Sequence, residues 1–376
     1  MAELHLAAAL EGAGWHPAAW REPRARPAEL FTAGYWRDLA AEADRGLLDF
    51  VTVEDSLGPA GSRTDLVRGR LDAVLVASRV APHTSGVGFV PTAVVTHTEP
   101  FHVSKAIATL DYVSTGRAGA RLRVSSSEAE FAHFGRRQLP ADRAQLFDEA
   151  ADHAEVLRRL WDSWEDDAEI RDVATGRFVD RDKLHYADFE GEWFSVKGPS
   201  ITPRPPQGQP PVAVLAHAPV VYRLAARSAD VVFTTPHDLD QVRGIGDRVR
   251  AEQESLGRAD PLLLFADLEV VLDETAGLAR ERRSRLDARA EHSSDAAQFT
   301  GTPAELADLL LAWSAAGLGG FRLRPAAIPD DLTAITRSLV PELQRRGAFR
   351  DRYRGSSLRD HLGLARPANR HAEVRP

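Results

Sequence analysis

The chain has 376 residues, of which 47 are basic and 55 acidic, so its formal net charge is −8. A net acidic chain repels a polyanion, and we therefore do not expect it to bind nucleic acid. It contains no cysteine, which excludes disulfides, thiolate nucleophiles and iron–sulfur clusters.

The first apolar run, Leu4–Leu10, is too short to span a membrane and has no cationic residues before it, as a signal peptide would. We therefore expect a cytoplasmic protein with no membrane partner. Further along, short apolar runs rich in β-branched residues alternate with longer stretches of helical period. The predicted strands are Leu4–Leu10, Phe50–Glu54, Val87–Val95, Arg121–Ser125, Val212–Ala216, Asp230–Thr234, Leu262–Leu272 and Gly320–Arg324. The predicted helices lie near 35–46, 65–80, 101–114, 142–160, 219–228, 238–256, 303–316 and 331–346.

Eight strands that are each followed by a helix indicate one α/β domain, a (β/α)₈ TIM barrel spanning 1–376. A doubly wound open sheet is the alternative, but such sheets seldom need eight units. One helix start is marked by local chemistry: Thr302 precedes Pro303 and Glu305, in the pattern of an N-cap with an acidic first turn.

Three segments interrupt the alternation of strands and helices. Residues 165–211 are polar and end in five prolines, which a central strand does not accommodate, so we predict an insertion between the fourth helix and the fifth strand. Residues 281–298 are polar and charged, which indicates a mobile loop or a solvated helix. The arginine-rich tail, 345–376, is predicted to wrap around the barrel or a partner.

In a closed parallel barrel the catalytic residues lie where the strands end, because the loops there converge on one cavity. This rule selects residues by their place in the chain alone. They are the loop Gly14–Trp20, Glu54 and Asp55, Thr96 to Thr98, Ser125 to Ser127, Ala216 and His217, and Arg324.

Two of these positions carry groups that suit acid–base or binding chemistry. His16 is a candidate general acid or base, and a loop histidine bonded to backbone is the alternative interpretation. Asp55 is a candidate acceptor for a ring N–H or a hydroxyl, and a cap for the following loop is equally open. His97, Glu99 and His102 would share no helix face, so we predict no metal site.

Several enzyme classes lack their defining motifs in this sequence. It has no Gly-x-Ser-x-Gly elbow, no phosphate loop of the Gly-x₄-Gly-Lys type and no Gly-x-Gly-x-x-Gly after a strand. Serine hydrolase, nucleotide hydrolase and Rossmann dehydrogenase interpretations therefore lose their main support.

A family resemblance rests on many short matches that keep their order along the chain. They are 14–21, 48–55, 99–119 with its Thr109-Leu-Asp-Tyr-Val-Ser-Thr-Gly-Arg117, 160–164, 189–199, 206–208, 225–233, 301–303, 340–347, 352–353, 358–363 and 366–367. Together they resemble the bacterial luciferase-like flavin-dependent monooxygenases. The C-terminal stretch is most similar to the branch of nitrilotriacetate, dibenzothiophene-sulfone and long-chain-alkane monooxygenases.

The resemblance implies a reaction in which reduced FMN and O₂ oxygenate a small organic substrate, with a separate flavin reductase supplying the reduced flavin. It places His16 facing the flavin as the catalytic candidate, Asp55 in the flavin pocket, and Thr96 or Thr98 against the isoalloxazine ring. Ser125, at the end of the fourth strand, is counted with the cofactor-binding group. The family also implies a homodimer.

The sequence departs from the family's pattern where the flavin phosphate is expected. Arg121 replaces a flavin-contacting amide, Leu146-Phe147 replaces an Arg-Tyr pair, and 216–222 carries Pro219 and Tyr222 where the family has small and hydroxyl residues. Proline contributes no N–H to an anion at a helix N-terminus. Arg121 and His217 are candidate replacements for the lost phosphate contacts, and an ion-pair role for Arg121 is the alternative.

Two further hypotheses stand beside the FMN monooxygenase. One is a coenzyme-F420-dependent oxidoreductase on the same fold, which would transfer hydride without O₂. The other is a non-catalytic subunit that keeps the barrel and supports a catalytic partner.

Overall fold

Eight parallel strands close into a ring in the computed structural model, which describes residues 3–58, 63–260 and 262–372. The ring closes where Val231 of its sixth strand pairs with Leu263 of its seventh. The predicted (β/α)₈ barrel is confirmed. Its strands are β1 His5–Leu10, β2 Phe50–Val53, β3 Gly88–Val94, β4 Ala120–Arg123, β9 Val212–Leu215, β10 Val231–Thr234, β11 Leu263–Leu272 and β13 Gly320–Pro325.

The helices surround this ring, and the loops that leave the strands lead into them. They are α1 Ala33–Arg45, α2 Ala73–Val80, α3 Pro100–Val113, α4 Glu128–Phe134, α5 Ala144–Trp161, α6 Pro219–Ser228, α7 Leu239–Ser255, α8 Ala276–Asp287, α9 Pro303–Ala315, α10 Asp330–Ala334, α11 Val340–Arg345 and α12 Leu358–His361. A π-helical turn, Ile335–Leu339, joins α10 to α11. Thr302 and Glu305 form a capping box at the start of α9, as their spacing predicts.

The helix predicted near 65–80 begins later than expected. Only Ala73–Val80 is helical, because Asp72 accepts a hydrogen bond from the Leu75 amide and caps the helix there. Residues 63–72 form an irregular loop. Their apolar residues Leu66, Val67 and Leu71 line a pocket instead of a helix face.

The insertion at 165–211 contains two antiparallel hairpins. They are built from β5 Glu169–Asp172 with β6 Arg177–Val179, and β7 Phe189–Glu190 with β8 Ser195–Val196. Trp193 and Phe194, in the turn of the second hairpin, reach the barrel rim beside Thr96 and Thr98.

About half of the segment 281–298 forms regular secondary structure. Its first residues belong to α8, and its last two begin a strand that the sequence did not reveal, β12 Ala297–Gly301. This strand pairs with the C-terminal half of β11, outside the closed ring. Its short, polar sequence explains why apolar alternation did not predict it.

The barrel interior has two chemically different layers, because alternate residues of each strand face inward. The lower layer is apolar and is closed from below by Leu358, Leu362 and Leu364 of the C-terminal tail. It consists of Ala7, Phe50, Val90, Ala213, Val231, Phe233 and Phe265. The tail thus wraps under its own barrel. In the described ranges no helix is long and apolar enough to cross a membrane.

Candidate active site at the barrel rim

The upper layer of the interior is a chain of ion pairs. Asp267 of β11 accepts hydrogen bonds from Arg322 Nε at 2.8 Å and Arg324 Nε at 2.9 Å. Glu54, directly after β2, pairs with Arg121 of β4 and, at 3.0 Å, with Arg322 of β13. Four strands are therefore linked across the centre of the barrel.

These charges are almost completely buried and remain ionised because they are paired. Burial alone would raise the pKa of Glu54, but Arg121 and Arg322 outweigh it and lower the pKa to about 2. The same balance lowers the pKa of Asp267 to about 2, with Arg322 and Arg324 as its partners. Arg121 thus has the ion-pair role that the sequence left as an alternative. Its Nε has no hydrogen-bond partner among the described residues.

His16 is held on the loop after β1 by a close approach of two backbones. Gly14 has φ of +132°, and a Cβ there would lie 2.4 Å from the carbonyl oxygen of Ala326. The amides of Trp15 and His16 donate to Pro325 and Ala326 at 2.9 Å. The end of β13 therefore fixes where the imidazole lies.

The imidazole of His16 is buried and has a defined tautomer. The Ala18 amide donates to Nδ1 at 3.1 Å, so the ring proton lies on Nε2, which donates to Asp287 Oδ1 at 3.0 Å. Burial lowers the pKa of His16, and Asp287 opposes that decrease. A second pair lies beside it: His292 Nε2 is 2.8 Å from Glu269, and the two imidazole rings are 4.9 Å apart.

Asp55 has the capping role that its position left open. Its carboxylate accepts from the Ser56 amide at 2.7 Å and from the Ala73 amide, at the start of α2, at 3.0 Å. Burial raises its pKa, and these amide hydrogen bonds oppose the increase.

The hydroxyl residues after β3 and β4 lie together on the other side of the rim. Thr96 Oγ1 accepts from the Ser125 amide at 2.9 Å, and the Thr98 carbonyl accepts from His153 Nε2 at 3.2 Å. Since Nε2 of His153 carries the proton, its Nδ1 is a buried acceptor, and it has no partner in the described part of the chain. Burial lowers the pKa of His153 to about 4.

The loop after β9 offers little to an anion. His217 is exposed, and α6 begins at Pro219 without a side-chain cap. The amides of Val221 and Tyr222 already donate to the Ala218 carbonyl. His217 is the one predicted phosphate contact that lies free of the interior ion pairs.

Three of the predicted site residues line two hollows at the rim, whereas Asp55, Ser125 and His217 line neither of them. His16 and Glu54 line a cavity of about 180 Å³, which we call the aromatic pocket. Thr96, Thr98 and His153 line a second one of about 200 Å³. Arg121 lies within the barrel between the strands that lead to them. The described ranges contain no cluster of three or more metal-ligating side chains.

Sequence reasoning missed Asp267, Arg322, Asp287 and His153. Asp267 and Arg322 occupy inward positions of apolar strands. A charged residue within an apolar strand was the signal that could have indicated a buried ion pair. Asp287 and His153 lie on helices far from the rim in sequence, so no local pattern indicates them.

Comparison with known proteins identifies the family. A model described as luciferase-like monooxygenase matches residues 13–334, which include most of the rim residues described above. The chain belongs to this family. Our prediction from the ordered motifs is confirmed.

The similarity to individual members extends over whole chains. N-acetyl-S-(2-succino)cysteine monooxygenase of Bacillus subtilis (strain 168) is 30% identical, covering 99% of both chains. Nitrilotriacetate monooxygenase component A of Aminobacter aminovorans is also 30% identical, covering 98% of both. A solved riboflavin lyase with modified FMN and riboflavin has the same fold, with a TM-score of 0.89 at 24% identity over 98% of this chain and 97% of that one.

The rim has unfilled hydrogen-bonding groups that suit a flavin. The isoalloxazine ring carries both an N–H donor and carbonyl acceptors, and the ribityl chain carries hydroxyl donors. Arg121 Nε is a buried donor without a partner, and His153 Nδ1 is a buried acceptor without one, both judged over the described residues. Buried polar groups generally have partners, so such unpaired atoms fit a ligand that supplies them.

Proposed function

We propose that this luciferase-like monooxygenase uses reduced FMN as a co-substrate with O₂ to oxygenate a small organic molecule. The match to the family model through most of the rim, His16 included, carries the proposal. When bound, reduced FMN supplies the electrons that activate O₂. A separate reductase supplies that flavin, in keeping with the name of the relative nitrilotriacetate monooxygenase component A.

The residues of the chain would divide the work of holding and protecting the flavin. Arg121 Nε donates to the ring, while Thr96, Thr98 and Ser125 contact it from the ends of β3 and β4. Asp55 fixes the loop that borders the flavin pocket. His217 contacts the phosphate in place of the family's usual hydroxyl groups.

His16 is proposed as the group that holds or moves a proton beside the reacting atoms. Its lowered pKa keeps the imidazole neutral near pH 7, so Nδ1 is the atom that can take up a proton, while Nε2–H stays bonded to Asp287, whose carboxylate would stabilise the cation. The buried rim around it excludes water from the reaction.

An anaerobic calorimetric titration with reduced FMN, oxidised FMN and F420 tests the proposal. Micromolar binding of reduced FMN supports it. Binding of F420 alone would support the F420-dependent oxidoreductase instead. Absence of binding for all three at millimolar concentration would support the non-catalytic subunit and refute the proposal.

Comparison of FMN with riboflavin isolates the phosphate contact. We expect His217→Ala to lower the affinity for FMN and to leave that for riboflavin unchanged, because only FMN carries the charge. His102→Ala, another exposed histidine, is the control.

A homodimer is also proposed, and sedimentation velocity should give twice the chain mass of 41.1 kDa.

A further inference from the structure

The aromatic pocket opens between the loops that follow β1 and β2. Its walls include Trp15, Trp20, Phe31 and Trp36, and its lining extends down to His16 and Glu54 at the centre of the rim. A group bound between these walls would therefore lie next to His16, the proposed catalytic residue.

The three indoles present apolar surface to this pocket because their N–H groups are already used. Trp15 Nε1 donates to the Ala9 carbonyl at 2.8 Å, Trp20 to Asp65 at 3.1 Å and Trp36 to Leu30 at 2.9 Å. Aromatic walls without free polar groups favour an aromatic occupant through offset or edge-to-face packing.

The charges around the pocket disfavour an anion. Glu11 and Glu54 both line it. Arg70 is the one arginine in the lining that the structure describes, and both of its terminal nitrogens bond Glu11, the closer at 3.1 Å. Glu54 is already balanced by Arg121 and Arg322, so a carboxylate ligand would have to break the Arg70–Glu11 pair to find an arginine in the lining that the structure describes.

The volume limits the size of the occupant. An apolar cavity of about 150 Å³ holds one benzene molecule. The aromatic pocket, at about 180 Å³, has room for one substituted ring.

We infer that the aromatic pocket binds a single aromatic ring that carries no negative charge, as the part of the substrate presented to the flavin. That the ring is part of the substrate rests on the proposed function, whereas the binding of the ring in this pocket does not. It separates this chain from its relative named for nitrilotriacetate, which is a tricarboxylate.

Three probes of nearly equal shape test the inference on the full chain without flavin: benzamide, benzoate and benzamidine. Calorimetry or ligand-observed NMR should show that benzamide binds and that benzoate binds at least tenfold more weakly. Benzamidine, a cation, should bind no more weakly than benzoate. Equal or tighter binding of benzoate would overturn the inference.

Two variants locate the binding and protect the test from misfolding. Val67→Trp fills the pocket and should abolish benzamide binding, while Leu75→Trp, at an exposed position on α2, should retain it. Glu11→Gln should raise the affinity for benzoate several-fold, because it weakens the hold on Arg70 and removes a negative charge. Benzamide binding that is unaffected by Val67→Trp would place the ring elsewhere and refute the inference.

A reduced-FMN titration of the same preparation keeps the two conclusions apart. If benzamide binds and no flavin does, the proposed function fails and the pocket assignment holds. If FMN binds and benzamide does not, only the inference fails. Competition between FMN and benzamide would show that the flavin itself fills the pocket, which also contradicts the inference.

Discussion

At the scale of single residues, the rim pairs each buried imidazole with a group that fixes its tautomer. His16 donates to Asp287 while its other nitrogen accepts from the Ala18 amide, so neither ring nitrogen is left to choose. His153 donates to the Thr98 carbonyl, which leaves Nδ1 as a bare acceptor. The chemistry open to each ring is therefore set by its neighbours on other elements.

Asp287→Asn should lower the pKa of His16 further. The Asp287 carboxylate raises this pKa through its hydrogen bond and its charge. The asparagine amide keeps part of the hydrogen bond but has no charge. NMR titration of the His16 ring protons measures the change. Asp240→Asn, on the exposed face of α7, is the control. An unchanged pKa in Asp287→Asn would show that the pair has no electrostatic effect on the ring.

His153→Gln should reduce the loss of stability on acidification. The folded pKa is about 4 and the unfolded value 6.5, so the unfolded chain takes up a proton over this interval and the folded chain does not. Stability is full above pH 6.5 and falls as the pH decreases to 4. The shift of about 2.5 units corresponds to roughly 3 kcal/mol.

Urea unfolding at pH 7 and pH 4 measures this difference. The wild-type chain should lose roughly 3 kcal/mol more than His153→Gln between these values. The exposed His102→Gln should behave like the wild type. Parallel pH profiles for His153→Gln and the wild type would show that this imidazole does not remain neutral in the fold.

At the scale of elements, segments outside the eight repeats complete the barrel at both ends. The α8–β12 region supplies Asp287, His292 and Asp295 to the upper rim, where Asp295 pairs with Arg324. The tail closes the lower end through α12, which Ser357 and Asp360 start with a capping box. The chain thus uses non-barrel segments to set the rim electrostatics and to seal the base.

Leu358→Ala should destabilise the fold by about 2–5 kcal/mol, the range for a leucine removed from a tightly packed site. Leu358 is fully buried. It packs so closely against Gly88 that a Cβ on this glycine would lie 2.8 Å from a methyl carbon of Leu358. Chemical denaturation measures the loss. Leu75→Ala, 70% exposed, should stay within about 0.5 kcal/mol of the wild type. A similarly small effect for Leu358→Ala would mean that the tail does not seal the barrel.

At the scale of the whole molecule, the interior ion pairs connect strands that are distant in sequence. Arg121 and Arg322 are 201 positions apart, and both bond Glu54. Removing one partner of a buried pair leaves the other charge uncompensated, and this costs more than the pair contributes. The network therefore depends on every member being present.

Arg121→Ala should destabilise the fold by about 3–5 kcal/mol, because Glu54 keeps only Arg322 as a close partner. Arg243→Ala, which removes an exposed pair with Asp240, should change stability by less than about 1 kcal/mol. We also expect Arg121→Ala to leave the ratio of FMN to riboflavin affinity unchanged, since its guanidinium is committed inside the barrel. A fall in that ratio would instead support the phosphate contact that the sequence suggested.

The sequence by itself determined the fold class and the family. Parallel barrel strands are short apolar runs, and this pattern survives in the linear chain, as do the motifs at 99–119 and 340–347. It also placed His16, Glu54 and Asp55 at strand ends, because the position of a strand end follows from the strand. The predicted start of the second helix, near residue 65, was wrong, because the apolar residues of 63–72 line a pocket and do not form a helix face.

Only the tertiary structure decided which side chains meet. The partner of His16 lies 271 residues away, and β12 forms only because the second half of β11 offers it an edge. Charged residues buried in a barrel are stabilised by partners from other strands, and the sequence of one strand does not indicate which residues those partners are. The separation of His16 from Thr96 and Thr98, which line different hollows, follows from the closure of the ring.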